Sequence, residues 1–206
     1  DVKRLLLWIL IFSALAVPAS ADPIRWVDLQ VDTPALSYAI SRDVETAQQE
    51  KHLSFVEILA LAASRTGGRC PLDAVKKAAK ELEGDKEPKE LLGELGKYYD
   101  YYMEAYRCAY GGLVGSFSIQ KDGVEYPQYG LKAFSPIAAG YGYSHCDDFG
   151  VARSFGFKRK HLGNDLMGAL GTPIVAVEGG IVEAMGWNRY GGWRVGIRSF
   201  DRKRYY

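Results

Sequence analysis

The chain is poor in cysteine, which limits the redox and metal chemistry open to it. Its three cysteines are Cys70, Cys108 and Cys146, and no two of them form a C-x-x-C pair of the kind that holds zinc or exchanges disulfides. At most one disulfide can close among them, and free thiols are an equally good interpretation. We draw no function from these residues.

The chain also lacks an excess of charge of either sign. Its 26 lysines and arginines stand against 25 aspartates and glutamates, so the net charge of +1 creates no field that would attract a polyanion. A P-loop, a dinucleotide-binding G-x-G-x-x-G and a G-x-S-x-G nucleophile elbow are all absent from the sequence. We therefore expect no nucleic-acid partner.

The longest apolar run is too short to cross a bilayer comfortably. Leu5 to Val17 covers 13 almost entirely apolar residues, whereas a transmembrane helix needs about 20. Lys3 and Arg4 precede this run and Ala19-Ser20-Ala21 follow it, which is typical of a cleaved signal peptide over residues 1–21. We expect an exported protein, extracellular or associated with the cell wall. The alternative is an uncleaved segment that tethers the chain to the membrane.

The stretch after this segment contains residues that typically begin and end helices. Ser54 and Glu57 have the spacing of a capping box at the start of the apolar run Phe55 to Ala63, and Gly67-Gly68 marks its end. We therefore predict a mostly buried helix here. Glu57 also faintly resembles the catalytic acid of lysozyme-like transglycosylases, but Arg65-Thr66-Gly67 replaces that family's Glu-Ser-Gly. The capping box is the interpretation we favour for Glu57.

Two further helices complete a helical domain that we predict over residues 22–114. One covers Leu72 to Glu83, and the next begins near Pro88 and continues to Gly111. Six tyrosines on the latter could form a surface that stacks on carbohydrate, but an apolar seam facing the core is the more common cause of such spacing. These residues are Tyr98, Tyr99, Tyr101, Tyr102, Tyr106 and Tyr110.

Beyond residue 115 the pattern changes to strands and tight turns. Ser116 to Gln120 is a strand candidate, and Lys121-Asp122-Gly123 indicates a hairpin turn. Trp193, Val195 and Ile197 alternate with polar residues, which predicts a half-buried sheet. The other strand candidates are Ile174 to Val177, Ile181 to Trp187 and Trp193 to Phe200. We expect a β domain over residues 115–206 and an α+β fold.

A histidine and an aspartate four residues apart, His161 and Asp165, suggest half of a metal site. Positions i and i+4 of an extended segment face the same side, so both side chains can reach one ion. Imidazole and carboxylate suit Zn²⁺, and catalytic zinc usually takes three protein ligands and a water. His145 lies beside Asp147 and Asp148 and could supply the third ligand, but a loop histidine among solvated acids is the interpretation we favour.

The flanks of this motif resemble the lysostaphin-type zinc endopeptidases, which cut peptide cross-links in bacterial cell walls. The resemblance covers roughly the last 60 residues, in the family's order. The stretches that carry it are Phe149-Gly150-Val151-Ala152-Arg153, His161 to Asp165, Gly171-Thr172-Pro173-Ile174-Val175-Ala176, Gly179-Gly180-Ile181-Val182 and Gly191-Gly192-Trp193-Arg194-Val195-Gly196-Ile197.

The resemblance implies a β domain like the duplicated hybrid motif, with His161 and Asp165 as zinc ligands and peptidoglycan peptide as substrate. In that family the third ligand is the second histidine of a later His-x-His pair, which does not occur among these 206 residues. The resemblance therefore implies a fragment that lacks the third ligand and is inactive alone. The alternative is a catalytically inactive cell-wall-binding or scaffold protein that uses the same β domain.

Two short basic runs and the remaining histidine carry no function in this interpretation. Lys158-Arg159-Lys160 could attract an anionic wall polymer, but such runs are usually solvated, and Arg202-Lys203-Arg204 has the same interpretation. His52 precedes a helix cap, and we expect it to be structural.

Overall fold

The computed structural model describes residues 29–154, 158–161 and 163–206. Helices and strands are both present, which confirms the α+β class. No helix within these ranges is long and apolar enough to cross a membrane. The predicted signal peptide, residues 1–21, lies outside the described residues, and the division into domains at residue 114 stays a prediction.

The helical part of the chain is organised around one buried helix, α2. In chain order its elements are β1 (Gln30–Val31), α1 (Thr33–Thr46), α2 (Phe55–Thr66), β2 (Arg69–Cys70), α3 (Leu72–Leu82), α4 (Pro88–Leu92), a 3-10 helix (Gly93–Tyr98) and α5 (Tyr99–Tyr110). Helices α1, α3 and α5 pack around α2, which confirms that this helix is mostly buried. It ends at Gly67, whose φ of 66° is the left-handed conformation that glycine accepts without strain.

The start of α2 differs from the predicted capping box. The Ser54 side chain makes no capping hydrogen bond. Instead Asp43, on the neighbouring helix α1, accepts a hydrogen bond of 2.8 Å from the backbone N–H of Phe55. Because this acceptor comes from a packed neighbour and not from the adjacent sequence, the capping-box prediction is wrong, and Glu57 is left without that role.

Asp43 is a buried charge, with 2% of its surface exposed. Its other oxygen lies 2.9 Å from Nε2 of His52 and accepts a hydrogen bond of 2.7 Å from the Tyr129 hydroxyl. Burial and the hydrogen bond to this carboxylate raise the pKa of Tyr129 to about 12. His52 is structural in this respect, as predicted, because it belongs to the network that joins α1 and α2 to Tyr129.

The predicted third helix is interrupted. Gly93 has a positive φ of 55° and a 3-10 segment follows it, so α5 begins only at Tyr99. Along α5 Tyr106 is fully buried and its ring is stacked with Tyr102 and Tyr110. These rings belong to the core, which confirms the seam interpretation. Tyr98 and Tyr101 are exposed.

The strands after residue 113 form separate antiparallel pairs. They are β3 (Val114–Lys121), β4 (Val124–Leu131), β5 (Tyr143–Cys146), β6 (Ala152–Arg153), β7 (Arg159–Lys160), β8 (Asp165–Gly168), β9 (Gly180–Asn188) and β10 (Gly192–Ser199). The pairs are β3–β4, β5–β8, β6–β7 and β9–β10. Asp122 and Gly123 have φ values of 52° and 77°, as a two-residue hairpin turn of type I′ requires. The predicted hairpin turn is therefore confirmed.

Two expectations for the later strands are wrong. The predicted strand Ile174 to Val177 is not a regular strand: it forms an isolated bridge between Ile174 and Ile137 and single backbone hydrogen bonds to Pro136 and Phe134. The predicted half-buried face of β10 is open at two of its three residues, because Trp193 is 81% and Val195 58% exposed, whereas Ile197 is half-buried. Alternation of apolar residues indicates which side chains share a face, but burial needs a second layer, and the described residues place none over β9–β10.

One residue of a basic run departs from the solvated face that we predicted, since Arg202 and Lys203 are exposed but Arg204 is not. Arg204 is buried, and its guanidinium pairs with the buried Glu178 at 2.5 and 3.1 Å. It also donates to the backbone carbonyl of Cys108, near the end of α5, at 3.2 Å. The hydrogen bonds from Arg204 lower the pKa of Glu178 despite its burial. The three cysteines are free thiols.

Replacing Asp43 with alanine should destabilise the protein far more than replacing Ser54. Asp43→Ala removes three hydrogen bonds and leaves the N–H of Phe55 unpaired, so we expect the free energy of unfolding to fall by about 2–4 kcal/mol. Ser54→Ala removes no capping bond and should change it by less than about 0.5 kcal/mol. Urea unfolding followed by circular dichroism measures both. Equal losses in the two variants would contradict this account of the cap.

Candidate metal centre

Strand pairing brings Asp165 next to the turn that follows β5. In the β5–β8 ladder Cys146 stands directly opposite Asp165. The chain then turns, and the N–H of Asp148 donates to the carbonyl of Cys146 at 3.0 Å. The carboxylate of Asp148 accepts a bond of 3.1 Å from the N–H of Asp165. The register of one short ladder therefore sets the two carboxylates side by side.

His161 is held in place through its backbone. Its N–H donates to the carbonyl of Val151 at 2.9 Å, and its carbonyl accepts from the N–H of Gly150 at 2.7 Å. Gly150 has a φ of 78°, a conformation that side chains rarely adopt. The pairing of β6 with β7 continues directly from these two bonds. The imidazole thus comes from a segment that is fastened to the turn carrying Asp148.

The predicted ligands His161 and Asp165 meet. Nε2 of His161 lies 3.5 Å from Oδ1 of Asp165. Two ligand atoms at about 2.0–2.1 Å from one tetrahedral zinc are about 3.3 Å apart. The measured separation is therefore close to what one shared ion needs, and the donor set of imidazole and carboxylate suits the metal.

Asp148 completes the group, and sequence reasoning missed it. One donor atom each from Asp148, His161 and Asp165 lie within 4.8 Å of one another, an arrangement able to hold a metal ion. Oδ2 of Asp148 is 3.1 Å from Nδ1 of His161, the ring nitrogen that points away from Asp165 Oδ1. Partial burial raises the pKa of Asp148. The hydrogen bond from the N–H of Asp165 and the charges of His161 and Arg153 outweigh this effect, so the pKa is lowered. The carboxylate therefore stays ionised.

Arg153 is the second residue of the site that sequence reasoning missed. Its Nη2 donates to Nδ1 of His161 and to Oδ2 of Asp165, each at 2.9 Å, and also to Asp148. A cation thus already lies on the Nδ1 side of the imidazole, which leaves Nε2 for a metal. If a metal binds Nε2, the imidazole carries its proton on Nδ1. The Nδ1–H group can then donate to Asp148, but it can no longer accept a hydrogen bond from Arg153.

His145 does not take part in the group. It pairs with Leu166, the neighbour of Asp165 in β8. Because successive side chains of a strand point to opposite faces, His145 projects away from the face that carries Asp165. His145 is exposed and outside the site, as expected, but it lies in strand β5 and not in the loop that we predicted. Lys158, Arg159 and Lys160 are exposed as well.

Comparison with curated proteins shows similarity to a bacterial endopeptidase. The chain is 36% identical over 95 residues to the L-Ala--D-Glu endopeptidase of Bacillus subtilis (strain 168). The matched stretch is 46% of this chain and 29% of the relative, so the chain spans less than a third of that protein's length. No family model matches the chain, and no solved structure matches it.

Titration with Zn²⁺ should separate the roles of the histidines. We expect His161→Ala to abolish saturable binding, whereas His145→Ala, the matched control on the opposite face, should bind as the unchanged chain does. Asp148→Asn should weaken binding by about 10–100-fold, because a partner that orients a ligating imidazole has effects of this size. Isothermal titration calorimetry measures all three. Zinc binding that survives His161→Ala would contradict the ligand assignment.

Proposed function

We propose that these residues belong to a zinc-dependent endopeptidase of the lysostaphin type that hydrolyses peptide bonds of bacterial peptidoglycan. The observation that carries the proposal is the separation of 3.5 Å between Nε2 of His161 and Oδ1 of Asp165, with Asp148 at the other ring nitrogen. The identity to a protein named L-Ala--D-Glu endopeptidase supports a peptide bond of the cell wall as the substrate.

Each residue of the group has a distinct part in the proposed site. A bound zinc ion would supply Lewis acidity toward a scissile peptide carbonyl and toward water. His161 and Asp165 would hold the ion, and Asp148 would fix the imidazole through Nδ1. Arg153 balances the charge of the two carboxylates before metal binds. The third protein ligand, by the family resemblance, is a histidine that is not among these 206 residues.

One observation favours a second candidate, a wall-binding module without catalysis. The guanidinium of Arg153 already touches both carboxylates and the imidazole. A positive charge is therefore supplied to the cluster without any metal, as in a purely structural ion-pair network. The same β strands could then bind wall peptide by strand addition. The endopeptidase remains the preferred function, because the ligand separation fits a metal.

A peptidoglycan substrate would require the protein to act outside the cytoplasm. We propose export to the cell wall, through the predicted signal segment over residues 1–21, or attachment to the membrane by the same segment if it is not cleaved. Peptidoglycan peptide is the proposed partner. We do not propose nucleic acid as a partner, because a net charge of +1 creates no general attraction for polyanions.

The activity is tested on the full product of the gene that encodes these residues. We expect it to release peptides with new amino termini from purified peptidoglycan, to stop when a chelator removes the metal, and to recover when Zn²⁺ is returned. His161→Ala should be inactive, whereas His145→Ala should retain activity. Mass spectrometry of the released peptides identifies the bond that is cut.

Each contrary result has a clear meaning. Cleavage that persists in His161→Ala or in the presence of chelator would exclude the zinc mechanism. Binding to peptidoglycan without release of peptides, in a protein that still takes up zinc, would favour the wall-binding module.

A further inference from the structure

A cleft in the helical part of the chain is separate from the metal centre. It has a volume of about 720 Å³ and lies between the start of α2, the end of α3, α4 and the outer face of α5. Leu53, Leu82 and Met103 give it an apolar lining, and charged side chains surround them. A space of this size accommodates a small ligand.

Glu57 lines this cleft and has no task in the fold. It is half-buried, and its carboxylate makes no hydrogen bond or ion pair with any described residue. Burial raises the pKa of Glu57, although the positive charges of His52 and Arg107 act in the opposite direction. Since Asp43 provides the acceptor at the start of α2, Glu57 is not needed as a cap. A partly desolvated acid without a partner costs stability, which calls for another reason for its presence.

Tyr99 supplies a second unsatisfied group to the same cleft. The residue is 7% exposed, and its hydroxyl is the one buried side-chain polar atom in the described ranges without a hydrogen-bond partner. Burial raises the pKa of this hydroxyl, and the negative charge of Glu57 raises it further. A buried hydroxyl nearly always has a partner in a folded protein. A ligand in the cleft can bring that partner.

Two positive side chains at the mouth of the cleft are also without an ion-pair partner. Arg107 and Lys86 line it, are exposed, and form no ion pair with the described residues. His52 is held at Nε2 by Asp43, while Nδ1 makes no hydrogen bond with these residues. The cleft therefore presents an acid and a hydroxyl together with two cations, Arg107 and Lys86, that form no ion pair with the described residues.

We propose that this cleft binds a short peptide that carries both a free ammonium group and carboxylates. The ammonium pairs with Glu57 and Tyr99, the carboxylates pair with Arg107 and Lys86, and an aliphatic side chain contacts the apolar lining. A saccharide fits less well, because the ring of Tyr99 packs into the core and offers no open aromatic face. This site goes beyond the proposed endopeptidase function and does not depend on the metal centre.

The dipeptide L-alanyl-D-glutamate is the probe, since it carries one ammonium group, two carboxylates and a methyl group. Calorimetric titration of the whole 206-residue chain should show saturable binding to one site. Glu57→Gln and Arg107→Gln should each weaken it by about 10-fold or more, as loss of a charged hydrogen bond does. Glu94→Gln, which makes the same exchange at an exposed site outside the cleft, should bind like the unchanged chain. Blocking the amine by acetylation should abolish binding.

Further controls distinguish dipeptide binding in the cleft from zinc binding at the metal centre and from carbohydrate binding. His161→Ala should leave dipeptide binding unchanged, so that failure of the zinc hypothesis does not affect this test. The disaccharide chitobiose should not bind. Absence of dipeptide binding, equal binding by the Glu57→Gln variant, loss of binding in His161→Ala, or tighter binding of chitobiose than of the dipeptide would each overturn the proposal.

Thermal unfolding distinguishes binding groups from structural ones. Glu57→Gln removes an unpaired charge and Tyr99→Phe removes an unpaired hydroxyl, so both variants should have a Tm equal to or above that of the unchanged chain. A lower Tm in both would show that these groups stabilise the fold, and would overturn the proposal. Tyr99→Phe should also weaken dipeptide binding, which a purely structural hydroxyl would not do.

Discussion

The buried carboxylate of Asp43 is the interaction on which the helical part of the molecule depends. It accepts hydrogen bonds from the start of α2 and from a hairpin strand, and it contacts the imidazole of His52. A buried charge is tolerated only when such partners surround it. Because three separate segments must converge on one carboxylate, this residue fixes where α2 begins and how β4 lies against the helices. It also leaves Glu57 free to face the cleft.

The metal centre follows a different logic, in which short backbone ladders position charged side chains. None of the strands β5 to β8 is longer than four residues, and the site residues lie at their ends or in the turns between them. Precision comes from hydrogen bonds such as those between His161 and residues 150 and 151. Asp148 and Arg153 then complement each other's charge. The cluster is thereby electrostatically satisfied both before a metal binds and, with a change of proton position, after it.

The features that the sequence predicts well are local. Gly67 ends α2, the pair Asp122-Gly123 forms the hairpin turn, and His161 and Asp165 lie close together, because in each case the relevant residues are neighbours in the chain. The contribution of Asp148 could not be predicted in the same way, since it depends on the register of β5 against β8. In the sequence Asp148 is one of two adjacent acids near His145, and nothing in the local spacing distinguishes it from Asp147.

Long-range pairings explain the other differences. Asp43 replaces the expected cap from twelve residues away in the chain, and Arg204 leaves the solvent because Glu178, 26 residues earlier, gives it a buried partner. Neither pairing can be predicted from the residues that are adjacent in the sequence.

The open face of the β9–β10 hairpin has an optical consequence. Trp187 and Trp193 are direct cross-strand neighbours, and both indoles are largely in water. They are two of the four tryptophans of the chain. Their fluorescence therefore reports on solvent at this face, and any molecule or segment that covers the hairpin would shift their emission to shorter wavelength. The fluorescence of these two tryptophans therefore shows whether this face of the hairpin is covered.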